Sequence, residues 1–507
     1  MATPLIIIII IIIIIVIIII ISFSYKLIFS GGNKPKVLPS PPALPIIGNL
    51  LQLTSLPHRS FHALSQTYGP LMLVHIGQVP TLIVSSPDMA HEVLKTHDLA
   101  FANRPFSKPF FKLSHGGRNI SFSQYGDYWR QTKKLAVVYL LNHKRVQSFH
   151  SLRQHQASLM IQKITGSKEE EVMNVSEIVY EYSHKVVSRA AAGTLGNAEK
   201  FKEMAEEASV LFGGFQVYDM FPAMGWLSVV MGLDGKLERV TRKLDMFLSE
   251  IVEEHVDRRQ HGGAGEEEEE EEEQEDFVDL LLALKEEGAI AHENIRAIIM
   301  DIIGAGTDTS SVTLEWAMSE LMKNPRTMKK AQDEVRQRSN GKPTVSENDI
   351  PQMSYLKAVI KEVLRLHPPA PLLLPHESLQ KVVIQGYEIP ERTRVMINAW
   401  SIGRDPNSWE DPEEFKPERF IGSSVDFKGL DFKFIPFGAG RRICPGTNFA
   451  ITSIEFALAS LLYHFNWRLP DGMSVEDLDM QEAPGLTTTR KQSLHLIATP
   501  YLPQVFV

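Results

Sequence analysis

Cys444 is the one cysteine in 507 residues, and that removes several architectures at once. No intramolecular disulfide, cysteine-rich zinc site or four-cysteine iron–sulfur cluster can hold this chain together. Its fold has to rest on a hydrophobic core, for which 507 residues with 44% hydrophobic and 22% charged side chains are ample. The net charge of −9 is local, because residues 266–276 hold ten acids and the remainder carries about one net positive charge. No global basic field points to nucleic acid.

Residues 5–23 are nineteen positions, nearly all Ile, with Ser22 the one polar exception. As a helix with 1.5 Å rise per residue the run spans about 28 Å, the thickness of a bilayer's hydrocarbon core. No positive charge precedes it and no small-residue cleavage site follows, so it reads as an uncleaved anchor rather than a signal peptide. Lys26, Lys34 and Lys36 follow the run, which by the positive-inside bias puts the rest of the chain in the cytosol. The expected division is an N-terminal membrane anchor over 1–30, a proline-rich hinge over 31–48 and a catalytic body over 49–507. Pro39, Pro41, Pro42 and Pro45 make the hinge a stiff, extended strut.

In the body, short β-rich runs at 71–76 and 81–85 around Gly77 predict a hairpin, after which Ser86 caps a helix with Pro87 in its first position. Helical periodicity then dominates, over 126–141, 151–165, 175–192, 235–259, 293–323, 325–338, 355–366 and 447–464. Strands recur only late, near 381–384, 394–398 and 494–498. The Gly-rich and poly-Glu stretch 262–276 reads as a solvated loop between two helices, with an acidic partner-binding segment as the alternative. No repeat and no internal linker divides this body, which is expected to be mainly α, one large helical domain with a small β-rich side.

Several chemistries are absent. The string Gly438-Ala439-Gly440-Arg441-Arg442-Ile443 fails the dinucleotide fingerprint at Ile443, and there is no phosphate loop, HExxH pair or GxSxG elbow. An isolated cysteine is usually a small buried hydrophobe. Cys444, however, directly precedes the apolar helix expected from Thr447, and unpaired N–H groups at a helix amino terminus favour thiolate over thiol. Gly438, Gly440 and Gly446 would let backbone press close to a flat ligand, and Arg442 offers a fork for a carboxylate such as a haem propionate.

The string Phe437, Gly440, Arg442, Cys444, Gly446 resembles the cytochrome P-450 signature FxxGxRxCxG at every defined position. In that family a cysteine thiolate is the axial ligand of haem iron, so the ligand role of Cys444 and the cofactor, haem b, come with the resemblance. The resemblance implies the P-450 fold and extends in order along nearly the whole chain. Glu362 and Arg365, with Arg419 in Pro417-Glu418-Arg419-Phe420, resemble the family's structural Glu-Arg-Arg triad. Ala305-Gly306-Thr307-Asp308-Thr309-Ser310 is similar to its oxygen-helix pattern, implying catalytic roles for Thr309 and Asp308 in dioxygen activation and proton delivery. Two glycines there, Gly304 and Gly306, suggest either a mid-helix distortion that admits a ligand or close packing against another backbone.

Trp129, Arg130 and Lys133 resemble the family's WxxxR haem-propionate contact, with Lys133 in place of the arginine, which keeps the charge but loses the planar fork. His376 stands where relatives often carry a propionate-binding residue; a satisfied surface histidine is the alternative. With no flavin or nicotinamide fingerprint here, the family implies NADPH-cytochrome P-450 reductase as electron donor and O2 as co-substrate. Lys133, Lys134, Lys144, Arg145 and Arg441 are either its docking face or ordinary solvated charges. The family's substrate-facing segments correspond to 102–122, 211–217, 302–305, 370–374 and 484–487, whose Phe106, Phe110, Phe111, Leu372, Leu373 and Leu374 suit a lipophilic molecule.

The wording of the haem loop is similar to plant A-type enzymes of the family 71 clan, which oxidise terpenoids, phenolics, coumarins and alkaloid precursors. The expectation is thus a single-pass endoplasmic reticulum monooxygenase with its body in the cytosol. A P-450-fold isomerase or dehydratase, and a non-catalytic haem- or ligand-binding membrane protein, are the alternatives.

Overall fold

The computed structural model describes residues 36–168, 170–193, 204, 207, 217–261, 275–339 and 341–501. The 5–23 run, the start of the hinge, most of the 211–217 segment and the acidic residues 262–274 lie outside the described residues. Among those described, no helix is long and apolar enough to cross a membrane.

The apolar periodicity of the sequence becomes helices Asp127–Leu135, His150–Thr165, Val175–Ala192, Leu233–His261, His292–Lys323, Pro325–Ser339, Ser354–Leu366 and Thr447–His464. The first continues as a π-helical turn, Ala136–Leu140. Among the helices not anticipated, two have ten residues or more. Pro57–Tyr68 buries His58, Ser60 and Ser65 beside Phe61, so its inner face reads as polar. Phe277–Glu286 starts directly after the acidic stretch, from a capping box between Asp276 and Asp279.

At the centre lies His292–Lys323, buried at every residue from Ser310 to Met322. It packs against Val175–Ala192 and against Thr447–His464, the helix that follows the cysteine loop. Gly306 explains the first contact: a Cβ there would stand 3.0 and 3.1 Å from the methyl groups of Val187. The helix is continuous α through this segment, so Gly306 serves close packing and the expected distortion is not formed.

The β-rich side is a four-stranded sheet in the order β1-β2-β7-β4, with β1 Leu71–Ile76, β2 Val79–Val84, β4 His376–Glu377 and β7 Arg394–Ile397. The predicted hairpin pairs Leu71 with Val84, and β2 runs parallel to β7 from Thr81, beyond Pro80, whose missing N–H therefore costs no bond there. Ser86 caps the next helix through Met89 N. β5 Val382–Ile384 pairs with β6 Tyr387–Ile389, and β3 Met173–Asn174, β9 His495–Pro500 and β8 Phe465–Arg468 form a third sheet. Strands β3, β6 and β8, of two to four residues, are too short for period-2 alternation to reveal.

The described part of the proline strut is fastened to the body. Leu73 N donates to Pro39 O (2.8 Å), and Asn49 Nδ2 donates to Pro42 O (3.1 Å) while its Oδ1 accepts from His75 N (2.8 Å).

Glu362 and Arg365 are completely buried and bonded through both carboxylate oxygens, at 2.7 and 2.8 Å, and Arg419 adds a third bond at 2.9 Å. The remaining donors of Arg365 reach the carbonyls of Gly403, Pro412 and Glu414. Two cations on one carboxylate, with their forks completed by carbonyls, lock the Ser354–Leu366 helix to the 403–419 segment.

Candidate active site

The loop before Thr447–His464 closes when Cys444 N donates to Phe437 O at 3.0 Å, while Thr447 Oγ1 donates to Cys444 O at 3.1 Å. Cys444 is exposed, yet it lies deep enough that burial pushes its thiol up, against hydrogen bonds from Gly446 and Thr447 that favour thiolate. The helix-terminus donors are therefore where the sequence places them, but burial outweighs them, and the polypeptide alone keeps this sulfur protonated.

Gly440 carries a constraint that its sequence neighbours do not reveal. At Gly440, φ is +67° and a Cβ would lie 2.3 Å from the carbonyl of Leu94, so this glycine permits the loop to meet the Glu92–Thr96 turn. Phe437 packs against Phe427, with ring centroids 5.5 Å apart.

Cations outnumber carboxylates around this loop, where Asp98 pairs with Arg441. Arg442 spends its fork on the carbonyls of Ala102 (2.8 Å) and Ser123 (2.7 Å) and lies over Trp129. Burial lowers its pKa to about 9. Arg104, 4% exposed, donates to Ser121 O, Leu374 O and Pro375 O, and burial followed by repulsion from Arg442 depresses it well below its ordinary value. His376 is buried with Nδ1 2.8 Å from Phe101 O, and burial and Arg104 push its pKa down to about 3. Lys133 Nζ reaches the carbonyls of Arg441 and Ile443, and burial and Arg442 lower it to about 8.

Among the described residues neither Arg104 nor Arg442 has an acidic partner within ion-pair distance. Like charges, one buried and one half-buried, whose hydrogen bonds go to carbonyls fit an external anion, and a haem propionate is such an anion. The residues present therefore fit haem: Cys444 for the iron, Arg104, Arg442, Lys133 and His376 for the carboxylates.

Not every expected contact converges here. Arg130 is exposed, paired with Asp127 and Tyr125. Its i, i+3 partner on the same turn draws it outward, away from the loop. Of the proposed docking cations, Lys133 is turned inward, Arg441 pairs with Asp98 at 3.2 Å and Arg145 with Glu275 at 3.2 Å, whereas Lys134 and Lys144 are exposed.

On the central helix, Thr309 Oγ1 donates to Ala305 O at 2.7 Å, and Ala305 is exposed although the helix around it is largely buried. Ser311 Oγ donates to the carbonyl of Asp308 at 3.0 Å. Sequence reading overlooked Arg104, Asn119 and Asp301. The arginine sits in an irregular stretch with no period, and the half-buried aspartate, one turn before the glycines, carries only the signal of an acid interrupting an apolar helical run.

Cations held close together on carbonyl dipoles call for an anion, and an exposed thiol beside the N–H donors of Gly446 and Thr447 suits a metal. Together they define a haem-thiolate protein of mainly helical architecture. The cytochrome P450 family model matches residues 38–497. The chain is 47% identical over 465 residues to cytochrome P450 71A1 of Persea americana, covering 90% of this chain and 92% of that protein. It is 45% identical to strychnine-11-hydroxylase of Strychnos nux-vomica (92% and 91% covered) and 43% identical to premnaspirodiene oxygenase of Hyoscyamus muticus (94% and 95%). A zebra fish cytochrome P450 solved with abiraterone superposes with a TM-score of 0.73 at 24% identity, covering 88% of this chain and all of that one, which shows the fold.

The chain belongs to the cytochrome P450 family, among the plant 71 clan, and is a P450 monooxygenase, a class whose cofactor is thiolate-ligated haem.

Proposed function

We propose that this monooxygenase hydroxylates or otherwise oxidises a lipophilic plant specialised metabolite of terpenoid, phenolic, coumarin or alkaloid type. The observation that carries the reading is a pair of cations beside the Cys444 loop, buried Arg104 and half-buried Arg442, whose donors go to carbonyls and which have no acidic partner among the described residues, as suits a seat for a dianionic metal cofactor. Bound there, haem would supply the activation of O2 and the insertion of one oxygen atom into substrate.

Cys444 would ligate the iron, with the N–H groups of Gly446 and Thr447 spreading the sulfur's charge and so tuning its electron donation. Arg104, Arg442, Lys133 and His376 would hold the propionates. Thr309 would swing its hydroxyl from Ala305 O to hold a proton at the reacting face, with Asp308 beside it as proton source. The buried, apolar helix on either side keeps bulk water from delivering protons at the wrong moment.

Phe110 and Phe122 stack at 3.6 Å between centroids, and with Phe106 and Phe111 they give the substrate side a flat, apolar character. Relatives named for strychnine and premnaspirodiene favour the same chemical range. Residues 5–23 would anchor the body to the cytosolic face of the endoplasmic reticulum. Electrons would come from NADPH-cytochrome P450 reductase, docking on the exposed Lys134 and Lys144 and the exposed Val137, Val138 and Tyr139 between them.

The test is reconstitution with reductase, NADPH and ¹⁸O2 against a panel of terpenoids, phenolics, coumarins and alkaloids. One ¹⁸O per product, dependent on NADPH, is expected; product formed without oxygen or NADPH would contradict the reading and favour an isomerase or dehydratase.

A further inference from the structure

The segment 119–123 divides its polar groups between two neighbours. Its donors point to Asp301 on the central helix, whose Oδ1 accepts from Asn119 Nδ2 (2.7 Å) and whose Oδ2 accepts from Ile120 N (2.7 Å) and Ser121 N (2.9 Å). Its acceptors point the other way. Ser121 O takes Arg104 Nε (2.9 Å), Ile120 O takes Trp129 Nε1 (3.1 Å), and Ser123 O takes Arg442 (2.7 Å). Asn119 Oδ1 closes the turn by accepting from Phe122 N at 3.1 Å. The loop is thus slung between the oxygen helix and the cations of the haem seat.

A carboxylate in this position is costly. Asp301 is half-buried, no cation pairs with it among the described residues, and desolvation raises its pKa against four hydrogen bonds that lower it. An apolar residue would fill the helix face at lower cost, but only an acceptor with two oxygens can hold three converging N–H groups.

We propose that Asp301 is a positioning residue that sets where the 119–123 loop, with Phe122 and its stacked partner Phe110, stands over the reacting face. Without it, the N–H groups of Ile120 and Ser121 lose their acceptor and the loop must move toward water. The carbonyl side remains held by Arg104, Arg442 and Trp129, so the haem seat persists while the wall met by a large ligand shifts. This inference rests on the haem-thiolate reading of Cys444.

The experiment compares haem-loaded wild type, Asp301→Ala and Asp301→Asn. Their carbon monoxide difference spectra test the underlying reading separately, through the wild type alone. Spectral titration with imidazole and with clotrimazole, a bulky triaryl imidazole, then tests the proposal, together with amide hydrogen exchange at Ile120 and Ser121. For Asp301→Ala the expected result is imidazole affinity within twofold of wild type, clotrimazole affinity at least tenfold weaker and faster exchange at both amides. Asp301→Asn, which keeps one oxygen, should fall between, and it carries the test if the alanine variant does not accumulate. Equal loss for both azoles, or no loss for clotrimazole, would overturn the proposal.

Discussion

Arg442 and Trp129 share one acceptor: the guanidinium lies 4.1 Å from the ring centroid, and both side chains donate to the carbonyl of Ile120, at 3.4 and 3.1 Å. The indole is a platform that fixes the plane of the guanidinium fork, which a bare charge would not need.

That arrangement makes geometry matter more than charge. Arg442→Lys keeps the cation but loses fork and stacking, and it should retain less than half of the wild-type haem per polypeptide after gel filtration, with Arg442→Ala lower still. Wild-type haem content in the alanine variant would remove Arg442 from the seat.

Thr309 has its hydroxyl on a helix carbonyl, so its removal leaves the helix ladder intact. Thr309→Ala should keep the folded, haem-loaded enzyme but consume several-fold more NADPH per product, the excess appearing as peroxide. Unchanged coupling would contradict a proton-handling role.

Glu362 answers buried Arg365 and half-buried Arg419. Glu362→Ala strands both charges, and destabilisation on the order of 3–5 kcal/mol is expected from urea unfolding. A loss below about 1 kcal/mol would show that the carbonyls around Arg365 suffice without it.

Burial works to raise the pKa of Glu482, but hydrogen bonds from His58 (3.0 Å) and Arg59 (2.6 Å) hold it down to about 2. A depressed carboxylate contributes stability that is present above its unfolded pKa of about 4.5 and lost as pH falls toward 2, on the order of 3 kcal/mol in total. Glu482→Gln should flatten the stability profile between pH 5 and pH 2 by about that amount. An unaltered acid limb would place the transition elsewhere.

Much of this molecule was legible because its signals are local. Long apolar periods marked the helices, and the cysteine loop and oxygen helix are contiguous strings whose residues need no tertiary knowledge to recognise. Arg104 and Asp301 were not legible, because their roles arise from contacts with carbonyls and amides of other segments, and any residue supplies those. A constraint on Gly440 was hidden for the same reason: it is the Leu94 carbonyl, distant in sequence. The outward turn of Arg130 was not legible either, because an exposed i, i+3 partner on its own turn decided its direction.

The central claim is that Cys444 holds a haem iron as thiolate. Microsomes carrying the wild-type chain and Cys444→Ala would be reduced with dithionite, exposed to carbon monoxide and compared by difference spectroscopy. The account predicts a strongly red-shifted Soret band for wild type and none for the variant; the same band in Cys444→Ala, or its absence from folded, haem-replete wild type, would contradict it.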